Sequence, residues 1–329
     1  MEPVAERGAQ NERSTADIYR LFGEVEADTS PLYREWALGV ADDPEVIALI
    51  DELPPRKRQV NLVFAAARYL TVPWGSYSVF REWMLANWPR VRAVAETHAT
   101  QTNEAGRCAV LLPLLARVPG PLALLEVGTS AGLCLYPERY SYRYGGGSTI
   151  DPTDGPSTVV LDCAISGPVP VPDHLPQVVW RAGVDLNPLD VNNADDMAWL
   201  DALIWPEHDD RRARLNAAVQ IARADPPQIV RGDLNEALPA LAASAPADAT
   251  LVVFHTAVLA YLVEAERKRF VQTVTSLPGH WISNEGIHVT PGVAERLGDT
   301  HPQPGEFVLA LDGDPVALAQ PHGRALRWL

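Results

Sequence analysis

Apolar side chains in the first 120 residues recur at helical spacing. From Ser14 onward, apolar residues such as Ile18, Leu21 and Val25 follow one another at three- and four-residue steps, which is the period of one face of an α-helix. Proline and glycine residues punctuate the rest of this region. The pattern predicts further helices over residues 31–40, 44–49, 60–70, 79–86 and 91–118.

The pattern changes at Pro121. A short apolar run, LALLEV, is bounded by turn residues, as is typical of a strand buried on both faces of a parallel sheet. Four further strand patterns alternate with helical ones downstream, namely VVWRAGVDL, PQIVRGD, TLVVFHTAV and HWISNE. Alternation of this kind predicts a parallel sheet with right-handed crossovers, which places the chain in the α/β class.

Three other segments complete the predicted architecture. The Gly-rich stretch GTSAGLCLYPERY follows the first strand and is expected to turn into a helix, residues 144–178 read as an insertion, and the end of the chain reads as a β-hairpin. We therefore expect a Rossmann-like, mostly parallel sheet of seven strands. The predicted organisation is a disordered leader over 1–13, a helical N-terminal cap over 14–94 and the sheet domain over 95–329.

Composition narrows the classes of function. The 329 residues are 47% hydrophobic and carry a formal net charge of -15, so the surface is expected to repel nucleic acid. Cys108, Cys134 and Cys163 have neither disulfide-framework nor zinc-site spacing. No apolar run is long enough to cross a bilayer, and the first residues do not resemble a signal peptide. We expect a cytoplasmic protein with no metal and no membrane partner.

The turn after the first strand is the leading candidate for a ligand site. A strand that ends at Glu126 and bends at Gly128 presents backbone N–H groups to a ligand, and the carboxylate can accept further hydrogen bonds. The predicted site comprises Glu126, Gly128, Thr129, Ser130, Ala131 and Gly132.

Polar residues also follow the other predicted strands. The carboxyl ends of parallel strands meet at one edge of the sheet, where ligands bind in doubly wound folds. Simple capping of the following helices is the structural alternative for the aspartates. The strand-end residues are Asp185 and Asn187, then Gly232, Asp233 and Leu234, then His255, and finally Asn284 and Glu285.

These strings resemble the S-adenosylmethionine-dependent methyltransferase superfamily over residues 95–329. LLEVGTSAGL looks like its first motif, GVDLNP its second and VRGDL its third, while the closing hairpin resembles its last two strands. The turn differs from G-x-G-x-G in having Ser130 and Ala131 at its centre. The resemblance implies S-adenosylmethionine as cofactor, held by the strand-end residues from Glu126 to His255, and a small-molecule methyl acceptor.

A second resemblance spans nearly the whole chain. The strings SPLYREWALGVADDPEV, QTNEAGR, RGDLNEALP and VVFHTAVLAYL are similar to a bacterial family, domain of unknown function 2332. This family implies no reaction. The reaction must therefore be inferred from the candidate site residues.

The segment before the first strand supplies candidate substrate contacts. The predicted helix carrying Gln101, Asn103, Glu104 and Arg107 crosses the mouth of the site in the methyltransferase arrangement, and a solvated helix face is the alternative. Asn284 and Glu285 are further candidates. The predicted catalytic residues are His255, Glu104 and Asn103, with His255 or Glu104 as a base if the acceptor must lose a proton.

Two other functions remain open. The string from Gly128 to Gly132 also matches G-x-S-x-G, the nucleophile elbow of α/β-hydrolases. In that case Ser130 is the nucleophile, and Asp312 or Asp314 with His322 completes the Ser–acid–His order. Alternatively, the domain keeps the fold and binds a nucleoside-like ligand or a protein partner without catalysis. Loss of a methyl group from the cofactor distinguishes an enzyme from a binding protein.

Overall fold

A computed structural model describes residues 13–101 and 103–329. Apart from Arg13, the predicted leader lies outside the described residues. The chain divides into a sheet unit, Asn103–Val191 with Arg214–Leu329, and a helical unit, the described part of Ala5–Thr102 with Asn192–Ala213. The first boundary thus falls at residue 102 rather than 94, and a second segment from the middle of the chain joins the helical unit.

The described residues contain ten α-helices. Short polar caps start several of them: the Ser14 side chain accepts the Asp17 N–H, and Asp43 accepts the N–H groups of Glu45 and Val46, as expected of N-cap residues. The helices are α1 (Thr15–Leu21), α2 (Pro31–Ala41), α3 (Pro44–Ile50), α4 (Val60–Tyr69), α5 (Tyr77–Thr97), α6 (Cys108–Leu115), α7 (Ala194–Leu203), α8 (Asp209–Ala224), α9 (Leu234–Ala243) and α10 (Glu264–Ser276).

The helical unit has an aromatic core. Trp36 of α2 stacks on Phe80 of α5 with ring centroids 4.3 Å apart, and Phe64 of α4 meets both rings edge to face. Offset-stacked and edge-to-face contacts are the geometries that aromatic rings favour. The repeating apolar positions of these helices therefore pack against one another.

The predicted helix over 91–118 is wrong in its extent. Helix α5 runs without interruption through Pro89, and the chain then leaves helical conformation until a 3-10 turn at Ala105–Arg107 and α6. Gln101 and Asn103 therefore lie in a connecting segment and not on a helix face. The prediction failed because no proline or glycine stands between Thr97 and Glu104 to mark the end of the helix.

The sheet unit is built on eleven strands in the described residues. Its order is β3-β2-β4-β11-β10-β9-β8-β7-β1-β5-β6. The strands are β1 (Leu122–Val127), β2 (Ser141–Tyr144), β3 (Thr149–Ile150), β4 (Val160–Ser166), β5 (Val178–Asp185), β6 (Gln228–Arg231), β7 (Thr250–Thr256), β8 (His280–Glu285), β9 (Phe307–Leu311), β10 (Asp314–Ala319) and β11 (Ala325–Trp328).

Five central strands, β6-β5-β1-β7-β8, are all parallel. In chain order these are the third, second, first, fourth and fifth strands of the predicted alternation, which is the Rossmann-like order with its switch point beside β1. Every residue of β1 is buried, and Leu125 and Val127 share a core with Leu238 of α9 and Phe270 of α10. The α/β class and the mostly parallel sheet are as expected.

The number of strands was predicted wrongly. Residues 141–166, largely within the predicted insertion, form β2, β3 and β4, and β4 joins the main sheet by parallel pairing with β11. The terminal hairpin of β9 and β10 turns at Asp312 and Gly313, both with positive φ, as a tight two-residue hairpin requires. Strands β2, β3 and β4, together with β11 after the hairpin, extend the sheet from seven strands to eleven. Among the helices described, none has both the length and the apolar character needed to span a bilayer.

Candidate functional site

The turn after β1 has an unusual backbone. Gly128, Ser130 and Gly132 have φ of 71°, 51° and 75°, and positive φ favours glycine over any other residue. The turn does not enter an α-helix, because only a 3-10 turn at Leu133–Leu135 follows it. The expected helix dipole at this position is therefore absent from this part of the described chain.

Most N–H groups of this turn bond within the protein. The Gly128 and Thr129 N–H groups donate to the Val184 carbonyl at 2.8 and 3.3 Å, and the Gly132 N–H donates to the Thr129 carbonyl at 2.7 Å. The Ser130 N–H donates to Asp185 Oδ2 at 2.8 Å. A phosphate needs such groups to be free, so the turn is not shaped as a phosphate cradle.

Asp185 connects the turns that follow β1 and β5. Besides Ser130, its carboxylate accepts the Asn187 N–H on Oδ1 at 2.7 Å, and the Asn187 side chain in turn accepts from Arg231. Each carboxylate oxygen can accept two hydrogen bonds. Asp185 therefore fixes the shape of this edge and keeps acceptor capacity for a ligand.

Asn103 also holds the turn in place. Its Nδ2 donates to the Thr129 carbonyl at 2.9 Å, and its Oδ1 accepts the Leu133 N–H at 3.0 Å. The structure thus brings Asn103 to the predicted site, but as a clamp on the backbone. Gln101 belongs to the helical unit.

Glu126 is a buried acid at the tip of β1. It is 3% exposed, and its Oε2 accepts the Thr129 hydroxyl at 2.8 Å. Burial raises the pKa of this carboxyl well above its ordinary value, because ionisation is costly away from water. Burial therefore favours the protonated, neutral form of the Glu126 carboxyl over the charged form.

Two further charged residues lie near the carboxyl ends of the central strands. Glu104 is buried and accepts from the Arg214 guanidinium at 2.7 Å and from the Gly106 N–H at 3.0 Å. Nη1 of Arg107 donates to both the carbonyl and the hydroxyl of Thr256, the last residue of β7, at 2.9 Å. The sequence missed Arg214 and the role of Thr256, since both partners are more than a hundred residues away along the chain.

His255 is the centre of a buried hydrogen-bonded chain. Its Nδ1 lies 2.7 Å from Glu285 Oε1, and its Nε2 accepts the Trp281 indole N–H at 3.0 Å. An indole N–H only donates, so the proton of His255 resides on Nδ1 and is donated to Glu285. His255 is completely buried, and this geometry gives both ring nitrogens structural partners and leaves none for a catalytic base.

Glu285 anchors the segment after β7. The same Oε1 atom accepts the N–H groups of Val258 and Leu259 at 2.7 and 2.9 Å. This segment places Val258 over the β1 turn: a β-carbon added at Gly128 would lie 2.5 Å from Val258 Cγ2. Val258 therefore fills the space above Gly128, and no local pattern in the sequence indicates this long-range contact.

The polar residues that follow β6 make structural contacts, including the cap of α9. Asp233 accepts the Asn235 N–H at 2.8 Å and caps α9, and Leu234 is buried. The Gly232 N–H donates to the Asp185 carbonyl at 2.9 Å. The capping alternative thus describes Asp233, while Gly232 ties the end of β6 to β5.

Unpaired polar atoms gather at this edge. Within the described residues, Ser130 Oγ, Asn284 Oδ1 and Glu285 Oε2 are buried and have no hydrogen-bond partner. Native proteins rarely leave such atoms unsatisfied without a bound water, ion or ligand. The carboxyl edge of the central strands is therefore the best candidate site in the sheet unit, and within the described chain no group of three or more metal-ligating side chains accompanies it.

The hydrolase arrangement is not assembled. Asp312 bonds to His280 Nδ1 and to the Trp281 N–H at the start of β8. Because β8 is parallel to β7 and β7 to β1, the start of β8 is the edge opposite Ser130. Asp314 pairs with Arg296 at 3.1 Å, and His322 lies between β10 and β11. The predicted triad acid is thus on the wrong side of the sheet.

Comparison with known proteins identifies the family. No curated protein and no solved structure matches this chain. The family model described as "Uncharacterized protein conserved in bacteria (DUF2332)" matches residues 16–328, which is almost the entire sequence and includes every residue of the candidate site. The chain therefore belongs to the bacterial DUF2332 family.

Proposed function

We propose that this protein is an S-adenosylmethionine-dependent methyltransferase acting on a small molecule at the carboxyl edge of β1 and β5. The observation that carries the proposal is the backbone of the turn. Its three residues with positive φ, Gly128, Ser130 and Gly132, stand at the positions where a G-x-G-x-G turn has glycine. Positive φ at all three positions supports the resemblance to that motif, although serine replaces the central glycine.

The hydrogen bonds of the turn favour a nucleoside without phosphate. Nucleotides are commonly held by free N–H groups at such a turn, whereas here the N–H groups of Gly128, Thr129, Ser130 and Gly132 donate within the protein. S-adenosylmethionine carries no phosphate. Its binding does not require these groups.

The acids at this edge suit the same ligand. Asp185 is partly exposed, and each of its oxygens accepts only one hydrogen bond from the backbone, which leaves acceptor positions for the two ribose hydroxyls. Burial raises the pKa of Glu126 and so favours a neutral carboxyl group over a negative charge at this position. Val258 fills the space over Gly128, so the ligand contacts the turn at its other residues or displaces Val258.

When bound, S-adenosylmethionine supplies a methyl group activated by its sulfonium centre. The role of the protein is to orient the acceptor and to exclude water, and these two effects can account for much of the rate enhancement of a methyl transfer. We assign no general base, because His255 and Glu104 are engaged in hydrogen bonds inside the protein. The proposal fits an acceptor that is nucleophilic at neutral pH without prior loss of a proton.

Calorimetric titration tests the proposal. S-adenosylmethionine and S-adenosylhomocysteine are titrated into the wild type, Asp185→Ala and Asp185→Asn, with Asp312→Ala as the control because Asp312 lies at the opposite edge of the sheet. We expect binding by the wild type and the control, and about tenfold weaker binding or more for Asp185→Ala, since a hydrogen bond to a charged group is lost. Asp185→Asn retains an acceptor for the turn and separates ligand contact from folding.

Other results would redirect the assignment. Binding without loss of the methyl group in the presence of any acceptor would indicate a non-catalytic binding protein of the same fold. Absence of binding, together with covalent labelling of Ser130 by a fluorophosphonate, would indicate a hydrolase. Equal affinity of the wild type and Asp185→Ala would show that the ligand does not bind at this edge.

A further inference from the structure

Arg107 is a buried cation without a carboxylate partner. Its side chain is only 8% exposed, and its hydrogen bonds in the described chain all come from Nη1, which donates to the two oxygens of Thr256. Within the described residues, Nε and Nη2 make no hydrogen bond, and no carboxylate oxygen lies within 4.0 Å of the guanidinium nitrogens. A buried charge is costly unless it is paired.

The neighbouring acids do not form an ion pair with Arg107. Glu126 is the acid of β1 at the same edge, and burial raises the pKa of its carboxyl well above the ordinary value, which disfavours the charged form. Glu104 is ionically paired with Arg214 at 2.7 Å. Neither of these acids is therefore an ion-pair partner of Arg107 within the described residues.

Polar side chains lie on the same face of the sheet as Thr256, the residue that Arg107 contacts. Thr256 is paired with Asn284 in the parallel register of β7 and β8, so the two side chains lie on the same face of the sheet. Glu126 faces the same side, because it pairs with Phe254, two residues before Thr256. Asn284 Oδ1 is buried without a partner in the described chain. Thr256, which accepts from Arg107, thus lies beside a buried polar group that has no partner.

We infer that Arg107 binds a carboxylate group of the ligand of this site. The inference rests on the proposed function only for the location of the ligand. A guanidinium presents parallel N–H groups that match the two oxygens of a carboxylate, and Nε and Nη2 form such a pair on the edge that Thr256 leaves unused. Asn284 Oδ1 then accepts an N–H or O–H group of the same ligand.

Two sources can supply this carboxylate: the methyl acceptor, or the methionine part of the cofactor. Affinities for S-adenosylmethionine and methylthioadenosine, which lacks the amino-acid group, are compared in the wild type, Arg107→Gln and Arg107→Lys. A loss of about 10- to 100-fold for S-adenosylmethionine alone in Arg107→Gln assigns the carboxylate to the cofactor. Arg107→Lys keeps the charge but not the fork, so an intermediate loss is expected.

The acceptor arm uses pairs of carboxylates and amides. Acetate, benzoate and glycine are compared with acetamide, benzamide and glycinamide for their effect on the unfolding midpoint, with methylthioadenosine present and absent. The carboxylate is assigned to the acceptor if three results are obtained together. A carboxylate stabilises the wild type but its amide does not, this stabilisation is lost in Arg107→Gln, and the affinity of Arg107→Gln for S-adenosylmethionine is unchanged. Arg143→Gln is the control, since it removes a guanidinium from an exposed ion pair with Asp162.

Failure of this inference is separable from failure of the proposed function. The inference is overturned if Arg107→Gln folds with wild-type circular dichroism and binds S-adenosylmethionine as tightly as the wild type, while no carboxylate raises the unfolding midpoint of the wild type more than its amide does. If no nucleoside binds but carboxylates still stabilise the wild type through Arg107, the carboxylate site stands and the proposed function falls.

Discussion

Val258 occupies the space into which a side chain at Gly128 would project. A β-carbon at Gly128 would lie 2.5 and 2.7 Å from the two methyl carbons of Val258. The segment that carries Val258 is fixed in turn by Glu285, which accepts its N–H group. Close packing of the two strand ends, and not only the tight turn, therefore requires glycine at position 128.

Gly128→Ala is expected to destabilise the protein by about 2–4 kcal/mol. Alanine is strained at the φ of 71°, and its methyl group overlaps Val258. In the double variant with Val258→Ala the overlap disappears but the backbone strain remains, so the two effects are expected to be less than additive. Urea unfolding of the two single variants and the double variant measures this coupling. Strict additivity would show that the two residues do not contact each other.

Glu126→Gln is expected to change the pH dependence of stability. The folded protein holds a proton on Glu126, because its pKa is raised well above 4.5, whereas the unfolded chain releases this proton near pH 4.5. The stabilising contribution of the protonated form is complete below that pH and is lost as the pH rises towards the folded-state pKa.

Glutamine does not titrate, so the variant gains stability relative to the wild type as the pH rises above 4.5, by at most about 1.4 kcal/mol per pH unit. Urea unfolding of both proteins at a series of pH values from about 5 to 8 checks the sign. Parallel pH profiles for the two proteins would contradict a protonated Glu126.

Asp185→Ala is expected to cost more stability than Asp233→Ala. Asp185 accepts backbone N–H groups from two different turns, at Ser130 and Asn187, while Asp233 caps one helix. Loss of a helix cap costs about 1 kcal/mol, and we expect about 2–3 kcal/mol for Asp185→Ala. Chemical unfolding of the two variants under the same conditions measures the difference. Equal losses would mean that Asp185 is only a local cap.

Glu285→Ala is expected to destabilise the protein by about 3–5 kcal/mol. The substitution leaves three buried donors, those of His255, Val258 and Leu259, without their acceptor. Glu264→Ala is the matched control, because Glu264 forms an exposed ion pair with Lys268, and such pairs contribute little. A thermal unfolding midpoint of Glu285→Ala equal to that of the control would argue against the buried chain.

The sequence determined the strands of the central sheet and their order along the chain. The apolar run of β1 is buried at every position, the alternation of strands and helices forms the parallel sheet, and Asp233 caps α9. It also identified the strand ends at which Glu126 and Asp185 lie. These features depend on spacing within about a dozen residues, because burial of one face imposes a period on each helix or strand.

Only the tertiary structure decided how distant segments meet. Pairing of β4 with β11 joins residues about 160 apart in the chain and makes the sheet eleven-stranded. Contact of Val258 with Gly128 closes the space above the turn, and the bond from Trp281 occupies the free nitrogen of His255. Local patterns are the same whether such contacts form or not, since long-range packing depends on the complementary shapes and hydrogen-bonding groups of residues that the chain brings together only on folding.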